Sequence, residues 1–136
     1  MFRSSRCAEH VLNELDVMYD KVDENPDVYL TGFSLENIDG FTFVLQCVDE
    51  NDLQMIAILA EEVAEQKVEA LVEQLAEINK NLRFFSLFLD DNNNVILGYT
   101  YFLVQSFEES VHQVISLMNS MMQALDDIIL DIKAYI

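Results

Sequence analysis

The stretch LRFFSLFLDDNNNVILGYTYFLV, residues 82–104, decides the fold. Two runs rich in aromatic and aliphatic residues, 82–89 and 95–104, flank Asp90, Asp91, Asn92, Asn93 and Asn94. Asp and Asn tolerate positive φ or close turns with their own side chains, so the pattern predicts two antiparallel strands around a polar turn. Both faces of this hairpin are apolar. Phe85, Leu87 and Leu89 alternate with Phe84 and Phe88, and Leu97, Tyr99, Tyr101 and Leu103 alternate with Ile96, Phe102 and Val104. An antiparallel sheet ordinarily leaves one face to water. Two coverings would satisfy this ribbon: the chain's own helices over both faces, or a second copy or client over one of them.

Upstream, residues 62–79 change to helical period, with Ala64, Val68, Leu71, Val72, Leu75 and Ile78 on one side. Glu62, Glu65, Glu69, Glu73 and Glu77 form an acidic row on the other. Carboxylates four residues apart on a helix repel by a few tenths of a kcal/mol, so the row adds nothing to stability and belongs to the surface. Residues 53–59 and 41–48 alternate as strands around the polar segment 49–52, and residues 28–33 form an earlier strand closed by a turn near Asn37, Asp39 and Gly40. Residues 5–22 read as an amphipathic helix, with Val11, Leu15, Met18 and Val22 on one side and Glu9, Asn13, Asp16 and Asp20 on the other. It ends before Asn25-Pro26, because proline disfavours helical geometry in its predecessor.

Downstream, residues 106–135 carry Phe107, Val111, Val114, Met118, Met121, Leu125, Ile128 and Ile132 at alternating steps of four and three. Ser106 with Glu109 forms a capping box at the start. At about 1.5 Å per residue this helix exceeds roughly 40 Å, so its far end is expected to project or to pack on a second chain. The order of elements gives an α+β fold, α-β-β-β-α-β-β-α, with a five-stranded, largely antiparallel sheet and three helices. One domain over residues 1–136 is the expected organisation.

Composition narrows the function classes. Twenty-five Asp and Glu against seven Lys and Arg give a net charge of −18, which repels phosphate backbones and anionic leaflets alike. Neither nucleic acid nor membrane is an expected partner; the acidic surface either simply keeps the protein soluble or, if the charge acts specifically, attracts a basic protein client. The first six residues lack the apolar run of a secretory signal, and no segment reaches the ~18 apolar residues of a membrane span, so a cytoplasmic location is expected. Cys7 and Cys47 read as two buried free thiols, with a disulfide as the alternative.

Catalytic signals are missing from the sequence. His10 and His112 lie on helical segments beside acidic neighbours, with no nucleophile in a matching pattern, and read as structural residues. Three glycines, Gly32, Gly40 and Gly98, match no phosphate-cradling motif. Asp90, Asn92 and Asn94 have the opening spacing of a calcium loop, but its glycine position is Val95 and its bidentate glutamate position is Tyr101. No catalytic, cofactor or metal residue is therefore assigned, and a non-enzymatic protein-binding domain is the expected function. The alternative, motivated by the surplus of carboxylates, is a small-ligand or metal-binding regulatory protein. Expected contact residues for a client or a second copy are Phe84, Phe88, Tyr99 and Tyr101 on the hairpin and Met118, Met121 and Met122 on the last helix. Methionine-rich surfaces repack to suit what they bind. Glu65, Glu69 and Glu73 are the expected grip on a basic client.

The element order, and the run from Leu75-Ala76-Glu77-Ile78-Asn79 through Phe84-Phe85-Ser86-Leu87-Phe88-Leu89 to Val95-Ile96-Leu97, resembles the class I type III secretion chaperones and the related YbjN-like bacterial proteins. Many members have glycine in the hairpin turn, where this chain has Asn92, Asn93 and Asn94. The resemblance implies a cytoplasmic, acidic, often dimeric protein, and its secretion-chaperone branch holds an extended stretch of a client across its surface.

Overall fold

The computed structural model describes residues 1–22, 24–104 and 106–136. Among these, the chain forms α1 (Arg3–Glu14), β1 (Asp20–Val22), β2 (Asn25–Phe33), β3 (Phe41–Cys47), β4 (Asp52–Ala60), α2 (Glu65–Asn79), β5 (Ser86–Leu89), β6 (Val95–Phe102), α3 (Phe107–Ile132) and a 3-10 turn at Lys133–Tyr135. The strands make one antiparallel sheet in the order β1-β2-β3-β4-β6-β5. The α+β class and the three helices agree with the sequence reading; the sheet has six strands instead of five.

The additional strand lies inside the first expected helix. Leu12, Asn13 and Val11 carbonyls close the end of α1, and Asp16 adopts φ 55°, a left-handed geometry that Asp tolerates better than most side chains. The chain then reverses: Thr31 Oγ1 donates to the Met18 carbonyl at 2.7 Å, Tyr19 packs edge-on against Tyr29 at 5.6 Å, and Asp20 and Lys21 pair with Leu30 and Tyr29. Met18 and Val22 fall at helical spacing by coincidence, and Met18 is 93% exposed.

The start of α2 shifts because of contacts distant in the chain. The segment before α2 is tied to the hairpin turn, with Glu62 N donating to Asn94 Oδ1 and Val63 N to the Asn93 carbonyl, both at 2.9 Å. Glu62 takes φ 48°, so the helix starts at Glu65 instead of residue 62. In the 90–94 turn, Asp90 Oδ1 accepts from Asn92 N and Asn94 N at 2.9 and 2.8 Å, and Asn93 supplies the positive φ of 60°. The asparagines thus do what glycine does elsewhere. Ser106 Oγ accepts from Glu109 N at 3.3 Å, as the capping motif predicts.

All three helices lie on one side of the sheet: α1 on β3 and β4, α3 on β4 and α1, α2 on β5 and α3. The core between the layers joins Cys7, Val11 and Leu12 of α1, Leu71 and Leu75 of α2, and Val114, Met118, Met121 and Leu125 of α3 to Phe43, Leu45, Met55, Leu87 and Leu97 of the sheet. The far end of α3 does not project. Ile128, Ile129 and Ile132 are buried, Gln74 Nε2 donates to the Asp131 carbonyl at 3.3 Å, and Asn37 N donates to Asp126 Oδ1 at 2.7 Å. The end of the long helix is sheltered by α2 and by the β2–β3 loop.

Candidate functional site

Alternation along the strands sorts the sheet into two faces. Tyr29, Phe43, Leu45, Met55, Ala57, Leu87, Leu97 and Tyr101 point to the helices and are buried. The intervening residues form the opposite face, which no helix of the described chain covers. Register places them in rows: Leu30, Val44, Ile56, Gly98 and Ser86 share one, and Gly32, Thr42, Ile58, Ile96 and Phe88 share the next. A third row holds Val28, Gln46, Gln54 and Thr100.

The apolar members of these rows are not scattered. Leu30 and Val44 in the first row lead through Ile56 and Ile58, neighbours on β4, to Ile96 and Phe88 in the second. This is a diagonal stripe bordered by uncharged Gln46, Gln54, Thr100 and Ser86 on one side and Thr42 on the other. With strands about 4.8 Å apart, its span from β2 to β5 is about 20 Å. Open hollows lie at its two ends. One, of about 310 Å³, is lined by Ile56, Phe84, Ser86, Phe88, Gly98 and Thr100 among others; the missing side chain of Gly98 makes its floor. The other, of about 320 Å³, is lined by Met18, Tyr19, Asp20, Leu30, Gly32 and Thr42 among others. Phe84, Phe88 and Phe102 are 68, 45 and 64% exposed, large for aromatic side chains that a lone copy should shelter.

The sheet edges are blunted. Asn79, the last residue of α2, donates Nδ2 to the Leu87 carbonyl at 2.7 Å and accepts from Leu87 N at 2.9 Å on its Oδ1. Its amide stands where the next strand's peptide would, occupying the outer edge of β5. The opposite edge, β1, is three residues long and carries Asp20 and Lys21. Edge pairing with a further strand is thereby restricted, and the open face is the larger accessible feature.

The expected contact residues separate. Phe84 and Phe88 meet in the 310 Å³ hollow. Tyr99 and Tyr101 point the other way: Tyr99 packs edge-on against Phe85 at 5.9 Å, and the buried Tyr101 hydroxyl hydrogen-bonds Gln113 of α3. Met118 and Met121 are core residues at 1 and 0% exposure, and Met122 is half-buried against the core. Helical period alone could not say which side of α3 faces the sheet. Glu65, Glu69 and Glu73 are exposed, but on the helix layer and not on the open face. Leu30, Val44, Ile56, Ile58 and Gly98 escaped the sequence reading, which sought two-faced apolarity only in residues 82–104. The signal was present in Gln54, Ile56 and Ile58, set between Leu53, Met55, Ala57 and Leu59.

Asp90 is held below the ordinary carboxylate value by the backbone N–H of Asn94, with further help from the Asn94 side chain and Asn92 N–H. Both of its oxygens serve the turn. His10 and His112 come together in a shallow hollow with Glu14 and Glu108, His10 packing edge-on against Phe107 at 5.0 Å. Among the described residues no three His, Cys, Asp or Glu side chains are gathered as metal ligands. Cys7 and Cys47 are both buried free thiols, and burial, then the Cys47 thiol, pushes Cys7 up to about 11.

The arrangement defines a class of α+β protein in which helices back one face of an antiparallel sheet and leave the other open. The chain belongs to the YbjN family, described as "Putative bacterial sensory transduction regulator", whose match covers residues 9–133. It is similar to the crystal structure of YbjN, "a putative transcription regulator from E. coli", at TM-score 0.69 and 17% identity over 94% of this chain and 89% of that one. It is also similar to the Yersinia pestis type III secretion chaperone SycH, solved in complex with a stable fragment of YscM2, at TM-score 0.51 and 14% identity over 90 and 96% of the two chains. At these identities the likeness is one of fold. None of the curated proteins matches the sequence. Among the described residues, no helix is long and apolar enough to cross a membrane.

Proposed function

We propose that this chain is a non-enzymatic, chaperone-like protein-binding domain, one folded unit over residues 1–136, that holds a segment of a client protein and acts as a homodimer in the cytoplasm. The observation that carries the reading is the apolar diagonal from Leu30 to Phe88 across a sheet face whose charged residues, Asp20 and Asp52, lie at its margins. Depletion of charge at the centre of a patch, with aromatics beside it, is the compositional mark of protein interfaces. The SycH fold, seen with a bound protein fragment, supports a protein partner for a related architecture. The family's description as a regulator is compatible with this, because a net charge of −18 favours regulation through protein contact over direct contact with a phosphate backbone.

Binding of an apolar dye and suppression of aggregation of a reduced, unfolding substrate protein test the reading. Wild type is expected to do both, and Ile56→Glu with Ile58→Glu to do neither while keeping its circular dichroism. A wild-type protein inert in both assays overturns the reading. Light scattering on a gel-filtration peak tests the dimer, which a monomer at tens of micromolar (~) would refute.

A further inference from the structure

We infer that the occupant of the open face is a basic amphipathic helix, three to four turns long (~14 residues), lying along the Leu30–Phe88 diagonal with a large apolar side chain in the hollow at each end. This deepens the protein-binding reading and rests on it. Dimensions come first. The stripe is about 20 Å long and one side chain wide except on β4, where Ile56 and Ile58 lie side by side, which matches the length of a short helix at 1.5 Å rise per residue and the narrow apolar line along its side. The end hollows, one at Gly98 and Phe84, the other at Leu30 and Met18, would take anchors at opposite ends of it.

Charge complementarity sets the sign. Lys21, on β1, alternates away from this face to Glu9 of α1, at 2.9 Å. The charged groups bordering the face are Asp20 in the Leu30 hollow, Asp52 opposite Phe102, and Glu61 in a third hollow beside Thr42 and Ile58. None of these three carboxylates is ion-paired among the described residues. Arg83 lies next to Phe84 at the β5 end, so the carboxylates concentrate towards β1 and the two flanks. A second copy of the chain would bring another net charge of −18 and the same acidic border against itself, which argues against self-association through this face. Lys or Arg on the flanks of a helix whose apolar side meets Val44, Ile56 and Ile58 would satisfy both features.

Three labelled synthetic peptides of about 16 residues test this against the full chain by fluorescence anisotropy: an amphipathic Leu/Ala/Lys helix, the same design with Glu for Lys, and a scrambled Lys version. The amphipathic Lys peptide is expected to bind at least about tenfold tighter than either control, to gain helicity on binding, and to weaken with salt. Ile58→Glu discriminates further. It adds negative charge, so plain electrostatic adhesion would strengthen, whereas docking on the stripe weakens. Gly98→Val is a second, uncharged variant. A Cβ there meets Phe88 Cε1 at 3.5 Å and the Met55 carbonyl oxygen at 3.7 Å, ordinary contacts, so the position accepts a Cβ; the larger side chain is expected to narrow the hollow and weaken binding severalfold, with circular dichroism checking that the fold is kept. Equal binding of scrambled and amphipathic Lys peptides, or tighter binding by Ile58→Glu, overturns the inference. Equal binding of Lys and Glu helices, lost in Ile58→Glu, overturns the basic partner but leaves the protein-binding reading standing. A dimer that Ile58→Glu dissociates would make a second copy the occupant and overturn it too.

Discussion

Replacing Asn79 by alanine removes two hydrogen bonds from one residue, because its amide both donates to the Leu87 carbonyl and accepts from the Leu87 N–H. Each such bond contributes about 0.5–1.5 kcal/mol net, giving a loss of about 1–3 kcal/mol. Alanine recovers roughly 0.5 kcal/mol through its better helix propensity, reduced at a last helical residue, so the expected cost is about 0.5–2.5 kcal/mol. In urea unfolding followed by circular dichroism, with a slope of about 2 kcal/mol per molar, that corresponds to a midpoint lower by roughly 0.25–1.25 M. The same substitution exposes the outer edge of β5, so the Leu87 amide should exchange faster with deuterium and the protein should associate at high concentration. Asn79→Asp keeps an acceptor for the Leu87 N–H but turns an anion towards the Leu87 carbonyl, and should be no better than alanine. Unchanged stability together with a Leu87 amide that stays protected would refute the edge-capping role, whatever the association state.

Met118→Ala and Met121→Ala, each at a fully buried position, should cost about 2–5 kcal/mol in the same assay, whereas Met18→Ser, at 93% exposure, should change stability by less than about 0.5 kcal/mol. Equal effects at both places would mean that α3 does not face the sheet as described. Because the Asp90 carboxyl is depressed in the folded state, its contribution is present above the ordinary value of 3.8 and lost as pH falls through the folded value. Acid titration of stability should therefore be shallower below that pH for Asp90→Asn, and an unaltered slope would count against the turn hydrogen bonds. Cys7 works in the opposite sense. Its thiol stays protonated up to about 11 in the fold against 9.0 outside it, so stability present below 9 should decline as pH rises towards 11. Cys7→Ala should flatten that decline, and native Cys7 should resist thiol reagents at pH 8 until the chain is unfolded (~).

Much of the architecture is legible in local patterns. The hairpin of β5 and β6, whose first strand begins at Ser86 and not at residue 82 as expected, the capped α3, the alternating β3 and β4, and the acidic outer side of α2 are consequences of period and turn chemistry, which act between near neighbours. Where the sequence reading missed, the deciding contact was distant. Asp16 ends α1 early because β1 gains partners on β2, and α2 begins at Glu65 because Glu62 and Val63 bond to Asn94 and Asn93, some 30 residues away. Met118 and Met121, expected as contact residues, lie on the apolar stripe of the last helix and are core because the sheet lies beneath that side of α3.

The sequence by itself determined that this chain would be an acidic α+β protein with apolar residues on both sides of its strands, since alternation and charge are properties of the letters. Which side would be covered was decided only in three dimensions. The three helices all dock on the face of Phe43, Met55 and Leu97, so Leu30, Val44, Ile56, Ile58, Ile96 and Phe88 become one diagonal only when register sets five strands side by side. Period 2 assigns residues to faces, but hydrogen-bonded pairing between strands far apart in the chain assigns those faces their neighbours.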